Sequence, residues 1–161
     1  MSILLIEVFI FCALFTIMIL ILSKDPIKSL YNYPPKIQER VKSLEQYKDK
    51  IPTNKNKFAA KIIASVVFVI ILAIVMRYVN GYDNYKEAFF YSFILWTAVN
   101  FYDAIVMDCI WFCHDKRFVL EGTEDMVKEY HDYWFHIKGS LIGELLGIIV
   151  CSLAAMIVAI I

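Results

Sequence analysis

The stretch GSLIGELLGIIVCSLAAMIVAII, residues 139–161, decides the fold of this chain. It is almost wholly apolar and exceeds the roughly 20 residues that an α-helix needs to cross a bilayer. Helices on the surface of a soluble domain carry a polar face, and this stretch has none. The segment therefore predicts a membrane-spanning helix, with Glu144 as the charged residue inside it.

Three further stretches of similar character precede it, at residues 3–22, 58–79 and 87–113. Together the four stretches predict an all-α integral membrane protein with a four-transmembrane-helix bundle. Residues 1–161 would form a single membrane domain, connected by loops 23–57 and 114–138 and by one short turn. Spans two and three are expected to be antiparallel neighbours, because short connections join such helices.

The composition supports this class. Hydrophobic residues make up 60% of the chain, against ~45–50% in a typical soluble domain. Lys plus Arg and Asp plus Glu both number 16, so the net charge is zero. The lipid bilayer is therefore an expected partner, and nucleic acid is not. The four cysteines lie in apolar runs without CxxC spacing and are interpreted as small core residues; they are Cys12, Cys109, Cys113 and Cys151.

Loop charges predict the orientation. Loop 23–57 carries nine Lys and Arg residues and loop 114–138 carries four. An even number of spans puts both loops on one side, and the positive-inside rule makes that side cytoplasmic. The chain is accordingly expected in a bacterial-type cytoplasmic membrane with both termini extracytoplasmic.

Each long loop contains a segment typical of a short amphipathic helix at the cytoplasmic interface. In the first loop, Lys36–Lys50 places apolar residues at helical spacing between two prolines. In the second loop, Thr123 is expected to cap a helix that runs through residues 126–139 and on into span four. These helices would lie on the membrane surface or against the opposite loop.

Small residues recur every four positions in span four, at Gly139, Gly143 and Gly147. Such a ridge lets another helix approach closely. Two interpretations stay open, a tight seam within one bundle and the interface of a homo-oligomer.

Acidic residues inside the spans are the candidates for chemistry, because a charge near the bilayer centre costs ~2.5–3.5 kcal/mol. At ~1.5 Å per residue, Asp108 and Glu144 lie about 7–8 Å, and Asp103 about 15 Å, from the cytoplasmic ends of their spans. At ~100° per residue, Asn100 and Asp103 share a face, with Asp108 at its edge. Glu7 lies near the opposite surface, where its side chain is expected to reach outward to the interface.

The same helical wheel puts His114 on the polar face, and Cys109 and Cys113 on the opposite side. Asp132 and His136 are one turn apart, a spacing that two ligands of one metal use. The sequence thus predicts Asn100, Asp103, Asp108 and Glu144 as catalytic residues. It also suggests His114, His136 and Asp132 as ligands of a divalent metal ion, whereas His131 and His136 have poor ligand spacing.

Three functions follow from this pattern. The first is a membrane-embedded enzyme with an acidic and histidine site at the cytoplasmic side, acting on a lipid-like substrate. The second is an accessory or scaffold protein that docks a partner through its cytoplasmic helices. The third is a small oligomeric transporter of cations or protons. The chain lacks a phosphate-binding glycine loop, HExxH, GxSxG and CxxCH, so these common motifs identify no chemistry.

Overall fold

The computed structural model describes residues 3–52 and 54–161, and within those ranges the protein is helical and contains no β-strand. Four of its helices are long and apolar enough to cross a membrane, by length and composition. The predicted helical class and the four candidate spans are thereby confirmed. In chain order the helices are α1 (Ile3–Leu22), α2 (Pro35–Ser43), α3 (Asn54–Ile74), α4 (Tyr85–Tyr102), α5 (Val127–Tyr130) and α6 (Tyr133–Ile160).

Helix α1 is apolar around its whole circumference. Its segment Ile3–Ile21 has a mean hydropathy of 2.9, and large side chains such as Phe9, at 74% exposure, are not covered by the chain itself. A helix of this kind is stable where its surroundings are apolar on all sides.

Two of the long helices end in π-helical segments, in which each N–H bonds the carbonyl five residues back. Helix α3 continues as Val75–Val79, and α4 continues as Asp103–Phe112. A π-helical turn holds more residues than the 3.6 of an α-helical turn. An α-helical wheel therefore misplaces the side chains that follow Asp103.

A short turn leads into α4. Gly81 adopts φ +73°, a conformation that glycine reaches without steric cost. Asn84 then caps α4, because its Oδ1 accepts a hydrogen bond from the Glu87 backbone N–H at 3.0 Å. The Asn84 amide donates in turn to Glu87 Oε2 at 2.7 Å, so the first helical turn is held from both directions.

The chain divides into two compact units. The first, here called the apolar unit, comprises Met1–Phe11, Asn54–Asn100 and Leu141–Ile161. Its core combines residues of α3, α4 and α6, with side chains of α1 packed against it. Fully or nearly fully buried members are Leu72, Met76, Ala88, Leu95, Cys151, Ala154, Ala155 and Val158. Helix–helix packing in this unit therefore uses small side chains on α6.

The second, here called the loop unit, comprises Cys12–Thr53 and Phe101–Ser140. The two long loops share one hydrophobic core in it, formed by Ile27, Leu30, Tyr33, Ile37, Val41, Tyr47, Leu120 and Tyr130. Tyr33 is fully buried and donates a hydrogen bond to the Phe118 carbonyl at 3.0 Å. The loops thus fold together, and the apolar stripe of α2 faces this core.

Both predicted loop helices are shorter than expected. Helix α2 begins at Pro35 but ends at Ser43, because Leu44 is extended with φ −88° and ψ 122°. The predicted helix over residues 126–139 is interrupted in its middle, because α5 ends at Tyr130 and α6 begins at Tyr133. Helix α6 runs without interruption from there into the fourth apolar stretch, as expected.

Thr123 does not cap that helix. Its hydroxyl donates to the Leu120 carbonyl at 2.6 Å and bonds the Tyr130 hydroxyl at 2.7 Å, inside the core of the loop unit. Asp132 provides the cap for α6 instead, since its Oδ1 accepts from the Phe135 N–H at 3.1 Å.

Candidate functional site

The predicted site residues are divided between the two units. Asn100 and Glu144 lie in the apolar unit. The loop unit contains the remaining ones, which are Asp103, Asp108, His114, Asp132 and His136.

In the apolar unit, the Glu144 carboxylate joins α6 to α4. Asn100 Nδ2 donates to Glu144 Oε1 at 2.7 Å, and Thr97 Oγ1 donates to Oε2 at 3.0 Å. Both carboxylate oxygens are therefore engaged by neighbouring side chains. Hydrogen bonds of this kind between apolar helices stabilise helix pairing.

Glycines of α6 make this approach possible. Trp96 Nε1 donates to the Gly143 carbonyl at 3.2 Å. A methyl group at Gly147 would overlap the Nε1 edge of the Trp96 indole, and one at Gly143 would lie 2.7 Å from Asn100 Oδ1. Gly139 has open space around it. Gly143 and Gly147 thus pack against α4 of the same chain. A homo-oligomer formed through the glycine ridge stays a prediction.

Glu7 differs from the expectation that its side chain reaches outward. It is only 6% exposed, and its Oε1 accepts a hydrogen bond from Asn80 Nδ2 at 2.8 Å. Asn80 follows the π-helical end of α3 and supplies a polar partner that the wheel analysis of the third span did not consider. Asn80 thus satisfies one oxygen of a buried carboxylate; the other, Oε2, is buried without a hydrogen-bond partner among the described residues.

In the loop unit, the structure brings Asp108 and His136 together. His136 Nδ1 lies 3.1 Å from Asp108 Oδ2, and the His136 side chain is 3% exposed while that of Asp108 is 34% exposed. Phe112 and Phe135 stand edge-on to the imidazole, at 5.3 and 5.2 Å between ring centres. The carboxylate thereby fixes the orientation of an imidazole that is otherwise enclosed by aromatic rings.

The other ring nitrogen of His136 has no such partner. Nε2 is buried and makes no hydrogen bond within residues 3–52 and 54–161. A buried polar atom without a partner costs ~1–3 kcal/mol. Because most buried polar groups are satisfied, this atom is the most distinctive feature of the loop unit.

The π-helical segment changes which residues of the third span are buried. Ala104 and Met107 are buried, Asp103 is half-buried, and His114 is exposed. Cys113, expected on the opposite side from the polar face, is 5% exposed.

Each of the three suggested metal ligands contacts different neighbouring residues. His136 meets Asp108, Asp132 caps α6, and His114 contacts His131 and Tyr133. No group of three His, Cys, Asp or Glu side chains within the described ranges is arranged to hold a metal ion. The proposed set of His114, His136 and Asp132 remains a prediction.

An acidic residue at the edge of this region was not singled out from the sequence. Asp115 pairs with Arg117, whose side chain and backbone N–H bond its carboxylate. These hydrogen bonds lower the pKa of Asp115 to about 2. The pair is local and holds the turn after α4.

Thr97 and His131 were also missed. Thr97 lies three residues before Asn100, so helical spacing alone would have put both on one face. His131 was excluded by its spacing to His136, although its neighbour is His114.

The chain matches no protein-family model, no curated protein and no solved structure. What can be concluded about function therefore rests on its own residues.

Proposed function

We propose that the protein is a membrane-embedded enzyme in which Asp108 and His136 act as an acid–base pair. One observation carries this proposal: the imidazole of His136 is buried, is oriented by Asp108 through Nδ1, and has a buried Nε2 without a partner. Acid–base chemistry gives this nitrogen a use, whereas a scaffold role does not.

The chemistry follows from the hydrogen bond. When Asp108 is ionised it only accepts, so His136 then donates its Nδ1 proton to Asp108, and Nε2 carries a lone pair when the ring is neutral. Such a nitrogen accepts a proton from a substrate hydroxyl or amine and later returns it. A positioned acid–base group contributes about 10²–10⁴-fold to a reaction rate.

The surroundings favour a lipid-like substrate. Phe112 and Phe135 flank the imidazole, and Trp134 is 58% exposed at the start of α6. Aromatic side chains collect at the headgroup level of a bilayer. A molecule with an apolar tail and a polar head would present its head to such a group.

Membrane insertion as a four-helix bundle is part of this proposal. The two basic loops share one hydrophobic core, which requires them to lie on the same side of the membrane. This supports the predicted arrangement, with loops 23–57 and 114–138 on the cytoplasmic side and both termini outside. Asp103, half-buried at the first position of the π-helix, is retained as a second carboxylate of the site. Glu144 and Asn100 are assigned a structural role, because they bond each other.

The experiment compares purified wild type with His136→Gln and Asp108→Asn in liposomes made from total lipid extract. Mass spectrometry of the lipids before and after incubation reports conversion. Wild type is expected to change at least one lipid species, and both variants should lose about 100-fold or more of that rate. The matched control Asp83→Asn, at an exposed turn position, should retain it.

Unchanged lipids with wild type, or equal conversion by wild type and His136→Gln, would overturn the proposal. Circular dichroism of each variant verifies that the helices are retained. A variant that has lost its helices is replaced by His136→Asn.

A further inference from the structure

A second histidine cluster lies at the surface of the loop unit, outside the pair of Asp108 and His136. The rings of His114 and His131 are 4.8 Å apart between centres and cross at 74°. Tyr133 adjoins them, with its hydroxyl 3.3 Å from His114 Nε2. His114 and Tyr133 are exposed and His131 is half-buried, so solvent reaches the cluster.

Both imidazoles are held in the same way. His114 Nδ1 lies 3.0 Å from the Ile110 carbonyl, and His131 Nδ1 lies 2.7 Å from the Val127 carbonyl. A carbonyl only accepts hydrogen bonds, so each Nδ1 carries a proton. In the neutral rings, each Nε2 is therefore a lone-pair donor.

Metal-binding histidines share the Nδ1 contact seen at both rings. Their second N–H is usually donated to a carbonyl or carboxylate, which fixes the tautomer and the ring orientation. Bonds of about 2.0–2.1 Å from a tetrahedral ion to two imidazoles place the ring centres roughly 5 Å apart. The observed separation of 4.8 Å agrees with that value.

We propose that Nε2 of His114 and Nε2 of His131 bind one divalent transition-metal ion, of the class of Zn²⁺ and Cu²⁺ that favours imidazole. The Tyr133 hydroxyl and solvent complete its coordination. With only two imidazoles and no third His, Cys, Asp or Glu ligand within the described ranges, the site is open and exchanges its ion readily. It is independent of the acid–base pair.

Metal binding would have a structural consequence. His114 directly follows the π-helical end of α4, and His131 lies in the break between α5 and α6. An ion shared by them links these two breaks of regular helix. Occupancy of the site therefore stabilises the loop unit as the metal concentration rises.

The chain contains three histidines, so substitution of each one in turn assigns the site. Isothermal titration with Zn²⁺ is performed on detergent-solubilised protein purified without a histidine tag. Wild type is expected to bind one Zn²⁺. Loss of an orienting partner alone costs ~10–100-fold in affinity, so His114→Ala and His131→Ala should each weaken binding at least about tenfold.

His136→Ala should bind Zn²⁺ as wild type does. Equal affinity of wild type and His114→Ala, binding by an adventitious surface site only, or dependence on His136 would overturn the proposal.

A second measurement covers the case in which an alanine variant does not fold. Electron paramagnetic resonance of wild type loaded with one equivalent of Cu²⁺ counts the coordinated nitrogens through their hyperfine splitting. Two imidazole nitrogens are expected; a spectrum with one or none contradicts the shared site.

Discussion

At the residue scale, Glu144 and His136 illustrate two ways in which an apolar chain accommodates a polar group. Glu144 has both carboxylate oxygens bonded, to Asn100 and Thr97. His136 has one nitrogen bonded and the other buried without a partner. A satisfied group stabilises a fold, whereas an unsatisfied one costs free energy unless a substrate engages it. This difference separates the structural from the catalytic assignment.

The first prediction concerns the bond between Asn100 and Glu144. In a double-mutant cycle with Asn100→Leu and Glu144→Met, the coupling free energy should be about 0.6–1.7 kcal/mol in favour of the wild-type pair. Equilibrium unfolding of the solubilised protein measures it. The control cycle of Asn100→Leu with Leu153→Ala, an exposed α6 residue, should be additive. A coupling near zero for the first cycle would contradict the structural role of Glu144.

At the element scale, the contact between α4 and α6 depends on which glycine is considered. Gly147 lies against the Trp96 indole and Gly143 against Asn100, whereas Gly139 faces open space. Three residues that look equivalent in the sequence therefore have unequal roles.

The second prediction uses this inequality. Gly147→Ala should lower the free energy of unfolding by about 1–3 kcal/mol, because the added methyl overlaps a rigid ring. Gly139→Ala, the matched control, should leave it unchanged or slightly raise it, since alanine favours helix. Thermal unfolding of both variants provides the comparison. Equal stabilities would show that the ridge does not pack on α4.

At the element scale, the sequence predicts the long apolar helices but not the π-helical segment. Hydropathy predicted α1, α3, α4 and α6, because each is a long apolar run whose helical state hardly depends on its neighbours. It did not predict the π-helical segment Asp103–Phe112, since the choice between hydrogen-bond partners four and five residues back leaves no mark in composition. That segment explains why the wheel misjudged Cys113 and His114.

The sequence predicted the residues of the site but not which of them are in contact. Asp108 and His136 were both singled out, but their pairing depends on tertiary packing of the loop unit. His131 was excluded by assuming one continuous helix, and the break after Tyr130 removes that assumption. Spacing rules apply only within one unbroken element.

At the scale of the whole molecule, the charge distribution and the shared core of the two long loops lead to the same topology. The loop that contains α2 is basic and packs on the loop that contains α5. Both must therefore reach the same compartment before the core forms.

The third prediction tests this topology. Ser43→Cys, at the exposed end of α2, should be labelled by a membrane-impermeant maleimide only after the cells are opened. Asp83→Cys, in the exposed turn before α4, should be labelled in intact cells. The native cysteines lie in apolar segments and should react little in both cases. Labelling of Ser43→Cys in intact cells would reverse the proposed orientation.

The bond from the Tyr33 hydroxyl to the Phe118 carbonyl spans 85 residues of sequence, and this separation has a consequence for biosynthesis. At ~5–20 residues per second, a ribosome needs about 4–17 s to add the partner after Tyr33 has been made. Throughout that interval, Ile37 and Val41 lack the second-loop members of their core, Leu120 and Tyr130. The nascent first loop therefore completes its hydrophobic core only once translation has passed Tyr130.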